Sequence, residues 1–300
     1  MARHTEAPAS FEEAPAMPLN QNPTIRQRRL ARRLRELRIG AGLTHADASV
    51  VLDADKSKVG RIENAQSGVR LPDLRALLDL YGVTDPAERA EIEKLNRESK
   101  QKGWWSRFAV DGSYATYVAV EHDASTLYNV ETHLVPGLLQ TPEYTRALIE
   151  LQVPNATEEH VATQVAVRGE RRQLLTKEDP LQLWVIVSES VLRHRVGTAA
   201  VMKEQLESLL VDSRRSNVQL QVLPSDDPMN ACLYGPFVVM SFPAAAETDI
   251  AYSDLPTGTL YYEEAAEVEE YTKLFRRLNM AAANVRASRA LISDAAREMG

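Results

Sequence analysis

The chain has 300 residues, 44% of them hydrophobic and 26% charged, which is enough for two ordinary domains that each bury a core. No run approaches the roughly 18 uninterrupted apolar residues of a membrane span, and the first twenty residues lack the basic-then-apolar order of a signal peptide. The expected address is therefore the cytoplasm. The single cysteine, Cys232, excludes an internal disulfide and a thiolate zinc cluster; it reads as a small buried hydrophobe.

The net charge of −7 is unevenly distributed, and its distribution carries more information than its sum. Residues 1–23 hold one basic and three acidic groups, residues 24–82 twelve basic and seven acidic, and residues 83–300 22 basic and 32 acidic. A module of charge +5 thus sits between segments of −2 and −10. That asymmetry suits a nucleic-acid-binding head on a body that repels phosphate.

Taken in chain order, residues 1–23 contain four prolines and no apolar period, and are expected to form a disordered arm. From Thr24 to Gly82 short helical periods alternate with turn residues, predicting an all-α domain of four or five short helices. In the first, Leu30, Leu34, Leu37 and Ala41 recur at helical spacing and should face the core, leaving Arg28, Arg32 and Arg35 on the other side. Gly40-Ala-Gly42 ends it. Thr44 can then cap a second helix with Asp47 reaching back as in a capping box, and Asp55 can cap a third that begins at Lys56.

Two short helices joined by a tight turn predict a helix-turn-helix. On its second helix Val59 and Ile62 share the core face, so Lys56, Ser57, Lys58, Gly60 and Arg61 point outward. Such residues enter a major groove: Lys and Arg donate to guanine O6 and N7 or to phosphate, and Ser57 bonds bases or backbone. Gly60 costs an exposed helix about 1 kcal/mol relative to Ala, which fits close backbone approach to DNA and fits drift equally well.

The segment Lys56-Ser-Lys-Val-Gly-Arg-Ile-Glu-Asn64, preceded by Gly42-Leu-Thr44, resembles the Cro/repressor-type helix-turn-helix family. The resemblance implies that Arg61 contacts phosphate or supports the recognition helix, and that Glu63 pairs with Arg35 or Arg38. His45 stands where the family commonly has a phosphate-binding Gln, so Thr44 and His45 join Lys56, Ser57, Lys58 and Arg61 as expected DNA-binding residues. Ala65 replaces the usual helix-ending Gly, and Asn64 is expected to take the left-handed cap.

Thr84-Asp85-Pro86 opens a charged helix running to Gly103, expected to be a connector. Residues 104–300 form the second domain. Strand-like runs at Leu181–Val187, Val218–Leu223, Phe237–Phe242 and Thr259–Tyr262 alternate with helical stretches near 142–151, 157–175, 198–214 and 264–284. The fold class is therefore multidomain: an all-α helix-turn-helix domain followed by an α/β mixed domain. Val268, Tyr271, Phe275, Leu278 and Ala282 place one apolar stripe on the last long helix. Trp104 and Trp105 are expected to anchor the connector by burying area.

Lys102-Gly-Trp-Trp105, Val135-Pro-Gly-Leu-Leu-Gln-Thr-Pro-Glu-Tyr144, the Arg168 to Gln173 run, Glu189-Ser-Val-Leu192, Val222-Leu-Pro224 and Gly235-Pro-Phe237 together resemble the antitoxin-like regulators of actinomycetes, over about residues 24–290. That resemblance implies a small partner protein encoded by an adjacent gene. The four histidines of residues 104–300 fall in unrelated contexts, with no nucleophile elbow, phosphate-binding glycine loop or metal spacing. No enzyme, no cofactor and no metal are expected. The expected function is a DNA-binding transcription regulator, located at the nucleoid, that forms a homodimer on double-stranded DNA; its second domain captures the partner protein or, alternatively, senses a small molecule.

Overall fold

A computed structural model of the chain describes residues 25–100, 104–108, 110, 112–232, 235–242, 249–255 and 258–299. It divides into two compact units with the boundary between Gln101 and Lys102. The expected N-terminal arm and Lys102-Gly103 lie outside the described residues, as does the side chain of Cys232.

The first unit is helical: α1 (Ile25–Gly40), α2 (His45–Val51), α3 (Lys56–Glu63), α4 (Leu71–Leu80) and α5 (Pro86–Glu98). Leu30 and Leu34 of α1 are buried as the spacing requires, whereas Ala41 falls beyond the helix end and is exposed. The capping box forms, with the Asp47 amide donating to the Thr44 hydroxyl and the Thr44 amide donating to the Asp47 carboxylate. Asp55 caps α3 by accepting from the amides of Ser57 and Lys58 at 2.8 and 3.2 Å. The end of α3 departs from expectation: Asn64 keeps φ at −97° and Ala65 takes the left-handed position at φ 56°. The Gln66 and Ser67 amides both reach back to the Arg61 carbonyl, which requires the reversal one residue later than Asn64.

The helix expected as a connector is built into this unit. Ile92 of α5 is buried in the same core as Leu34, Val59, Ile62, Leu74 and Leu78, and Arg33 of α1 reaches Glu88 at 2.6 Å. Burial of one apolar stripe against α1 and α4 explains why a helix with so many charges is held.

The second unit contains α6 (Gly112–Asp123), β1 (Thr126–Glu131), α7 (Pro142–Gln152), α8 (Glu158–Arg172), β2 (Gln182–Ser188), α9 (Glu189–Arg193), α10 (Ala199–Asp212), β3 (Val218–Leu223), β4 (Phe237–Ser241), β5 (Ile250–Leu255), β6 (Gly258–Tyr262), α11 (Ala265–Ala281) and α12 (Val285–Glu298). The strands form one mixed sheet in the order β3-β2-β1-β4-β5-β6. β1, β2 and β3 run parallel, and β1-β4, β4-β5 and β5-β6 pair antiparallel. β1 and β5 add two strands to the four expected from apolar character.

Alternation sorts the sheet into two faces. Val130, Ile186, Phe237, Val239 and Ala251 pack against Val268, Phe275 and Leu278 of α11, so the stripe on that helix covers the sheet. Tyr271 of the same stripe is half-buried beside Phe237. α12, beyond the helix read as the last long one, is fixed to β3 by the Val222 amide donating to the Ser288 hydroxyl at 2.9 Å. Trp104 and Trp105 are half-buried, at ring distances of 5.9 Å from Phe108 and 5.7 Å from His122 respectively.

The Val135–Tyr144 segment is pinned by buried amide side chains. Gln205 of α10 donates to the Leu139 carbonyl and accepts from the Thr141 amide, while Gln140 donates to the Val135 carbonyl. Thr141 caps α7, whose first residue is Pro142, as its position before that proline suggests.

Candidate nucleic-acid interface

The expected site residues gather at α2 and α3. Asp53 turns the chain with φ 45°, a conformation that short Asx side chains tolerate, and this delivers α3 at once after α2. Val59 and Ile62 of α3 are 1% and 3% exposed, so they fix which side of the helix faces outward.

The anchor of α3 is an ion pair. Arg38 of α1 donates from Nε and Nη2 to the two carboxylate oxygens of Glu63, at 2.7 and 2.9 Å, and from Nη1 to the Leu43 carbonyl at 2.6 Å. Of the two arginines open to pair with Glu63, Arg38 is the one that does; Arg35 is exposed. Burial pushes the Glu63 carboxyl up, but bonds from Arg38 and His45 outweigh it and leave its pKa below the ordinary value. The His45 ring nitrogen Nε2 lies 3.0 Å from Glu63 Oε2. His45 is thus engaged with the anchor while its ring remains partly exposed.

The outward residues of α3 separate into three kinds. Lys56 is exposed, and among the described residues its side chain makes neither hydrogen bond nor ion pair. Ser57 and Arg61 are exposed and bonded to each other, Arg61 Nη1 donating to Ser57 Oγ at 3.0 Å, with the Ser57 hydroxyl also bonded to Asp55. Lys58 is half-buried and donates to Asp73 of α4 at 3.0 Å. Arg70 approaches the same carboxylate at 3.4 Å with its own side chain largely exposed. A Cβ on Gly60 would meet nothing within 4 Å, so packing inside the chain does not require glycine there.

The Lys58–Asp73 pair was not legible in the sequence. Its members are 15 positions apart, on α3 and α4, and no local spacing rule joins them.

Comparison with protein families agrees with this geometry. Residues 29–92 match the family model described as a helix-turn-helix domain, which supports a helix-turn-helix DNA-binding regulator. Residues 114–294 match the model described as a domain of unknown function, DUF5753, and the chain belongs to that family. No curated protein and no solved structure matches it. Among the described residues no helix is long and apolar enough to cross a membrane.

Proposed function

We propose that the chain is a sequence-specific transcription regulator that acts as a homodimer, setting two copies of α3 into successive major grooves about 34 Å apart on an inverted-repeat operator. The carrying observation is the outer surface of α3, where Lys56, Ser57 and Arg61 are exposed on a helix whose other side is sealed by Val59 and Ile62 and held by Glu63. In this reading Lys56 and Ser57 read base edges and Arg61 contacts phosphate. Lys58 takes part after exchanging Asp73 for DNA, and Thr44 and His45 meet the backbone at the start of α2. The chain works by binding rather than by turnover, at the nucleoid.

The second unit is read as the part that receives the signal. Its similarity to antitoxin-like regulators favours a small partner protein, and isothermal titration of the full chain against the product of the adjacent gene tests this. A cavity beside β1 favours the second reading, a small-molecule sensor. Chromatin immunoprecipitation with sequencing tests the DNA-binding proposal. Recovered sites should share an inverted repeat with half-sites one helical turn apart; enrichment without any common sequence would sink the sequence-specific reading.

A further inference from the structure

Where the parallel half of the sheet meets the antiparallel half, at β1 and β4, the second unit has a half-open cavity of about 290 Å³. This lies near the lower bound of small-molecule sites, roughly 300 Å³. Carboxyl ends of strands at such a switch point are where open sheets bind ligands.

The lining is polar where packing alone would make it apolar. Leu127, Asn129 and Glu131 share one face of β1; Leu127 is fully buried, yet the next two positions carry an amide and a carboxyl. Burial pushes the Glu131 carboxyl up to about 8, the bond from Asn129 opposing and the charge of Asp254 assisting, so at neutral pH it is a hydrogen-bond donor. The Asn129 Oδ1 is enclosed and has no hydrogen-bond partner.

Three arginines in the C-terminal part of α8, Arg168, Arg171 and Arg172, have different fates. Arg171 is bidentate to buried Glu121, at 2.7 and 2.8 Å, and also donates to the Tyr114 hydroxyl. Arg172 pairs with buried Asp212 of α10. Arg168 lines the cavity, makes no ion pair among the described residues, and keeps Nε and Nη1 enclosed without a hydrogen-bond partner. Its guanidinium carbon lies 5.9 Å from the centre of the Tyr114 ring. A guanidinium does not shed its proton, so an enclosed one without a counter-charge costs the fold stability.

We propose that this cavity binds a small organic acid, its carboxylate on the Arg168 guanidinium and its apolar body against the wall that Tyr117, Leu148 and Tyr252 provide. The inference rests on the small-molecule reading of the second unit and is independent of DNA binding. A carboxylate supplies the planar two-oxygen partner that Arg168 lacks, and Glu131 in its neutral form donates a further bond. The aromatic and aliphatic wall selects an organic acid over inorganic phosphate.

The test uses the full chain with phenylacetate and 4-hydroxyphenylacetate as probes, their amides as neutral isosteres, and inorganic phosphate. Isothermal titration and the urea unfolding midpoint of the second unit are read for wild type, Arg168→Met and Glu131→Gln. The carboxylates should bind saturably and raise the midpoint, with amides and phosphate at least about tenfold weaker. Arg168→Met should abolish binding and, unlike loss of a structural arginine, raise the midpoint of the unliganded chain. Glu131→Gln, which keeps a neutral donor, should still bind. Wild type that binds neither carboxylate, amides that bind equally well, or an Arg168→Met chain that is less stable than wild type would each overturn the proposal. DNA affinity measured with the bound acid is a separate readout: no change there removes the sensing role and leaves the site standing.

Discussion

Arg38 closes on both carboxylate oxygens of Glu63, an ion pair that ties α1 to α3 beside the core they share. The Glu63 side chain is 3% exposed and that of Arg38 10%, so neither charge can turn to water if its partner is removed. Arg38→Ala or Glu63→Ala should therefore destabilise the helical unit by about 3–5 kcal/mol, read as faster hydrogen exchange throughout α1, α3 and α4. Unchanged exchange would show that the pair is not the anchor.

The same pair sets an acid limit. The folded-state pKa of Glu63 lies below its ordinary value, so its stabilisation is complete above the ordinary carboxylate range and is lost as pH falls through the depressed folded value. Unfolding of the helical unit followed against pH should show this loss in wild type, and a shallower acid slope in Glu63→Gln.

Lys56 and Lys58 should behave differently although they sit two residues apart. Lys56→Ala should leave stability unchanged, because the side chain has no internal partner, and should cost roughly 1–3 kcal/mol at one operator position if it reads a base. Lys58→Ala also deprives Asp73 of its closer partner, for at most about 1 kcal/mol after solvent screening. Binding titrations against single-base operator variants, paired with urea unfolding, separate the two. Equal stability effects would contradict the assignment of Lys58 to Asp73.

Gly60 provides a test in which stability and function part company. The space beyond its Cα is open, so Gly60→Ala should stabilise the helix by about 1 kcal/mol. If DNA approaches the backbone there, the same variant should bind operator more weakly. Increased stability with unchanged affinity would mean that the glycine serves no contact.

In the second unit, a Cβ on Gly137 would lie 3.1 Å from both terminal nitrogens of Arg171. That guanidinium is held by Glu121 and Tyr114 and has little room to give. Gly137→Ala should cost about 1–3 kcal/mol in the unfolding of this unit; a neutral substitution would show the arginine to be less confined than its bonds imply.

The helix-turn-helix was legible because its rules are local. Thr44 with Asp47, Asp55 before Lys56, and the three-residue step from Val59 to Ile62 all act within one or two turns. What escaped was long-range or ambiguous. α5 reads as a charged connector, whereas its Ile92 lies in the core, and Asn64 and Ala65 compete for one left-handed position that bonds to the Arg61 carbonyl decide. β1 escaped for a reason tied to the cavity: Asn129 and Glu131 break the apolar run of a central strand, and they are polar where the cavity opens. Which arginine of α8 lacks a partner likewise depends on Glu121 and Asp212, each 40 or more residues away from its arginine.

The assignment of DNA binding to α3 is tested most directly by the equilibrium affinity of the full chain for a recovered operator, measured against salt for wild type and Arg61→Ala. Affinity should fall steeply as salt rises, and Arg61→Ala should weaken binding to operator and non-operator duplexes alike, with the salt slope shallower by about 1. A folded chain that binds no duplex at low salt, or an Arg61→Ala chain that binds with unaltered affinity and slope, would contradict it.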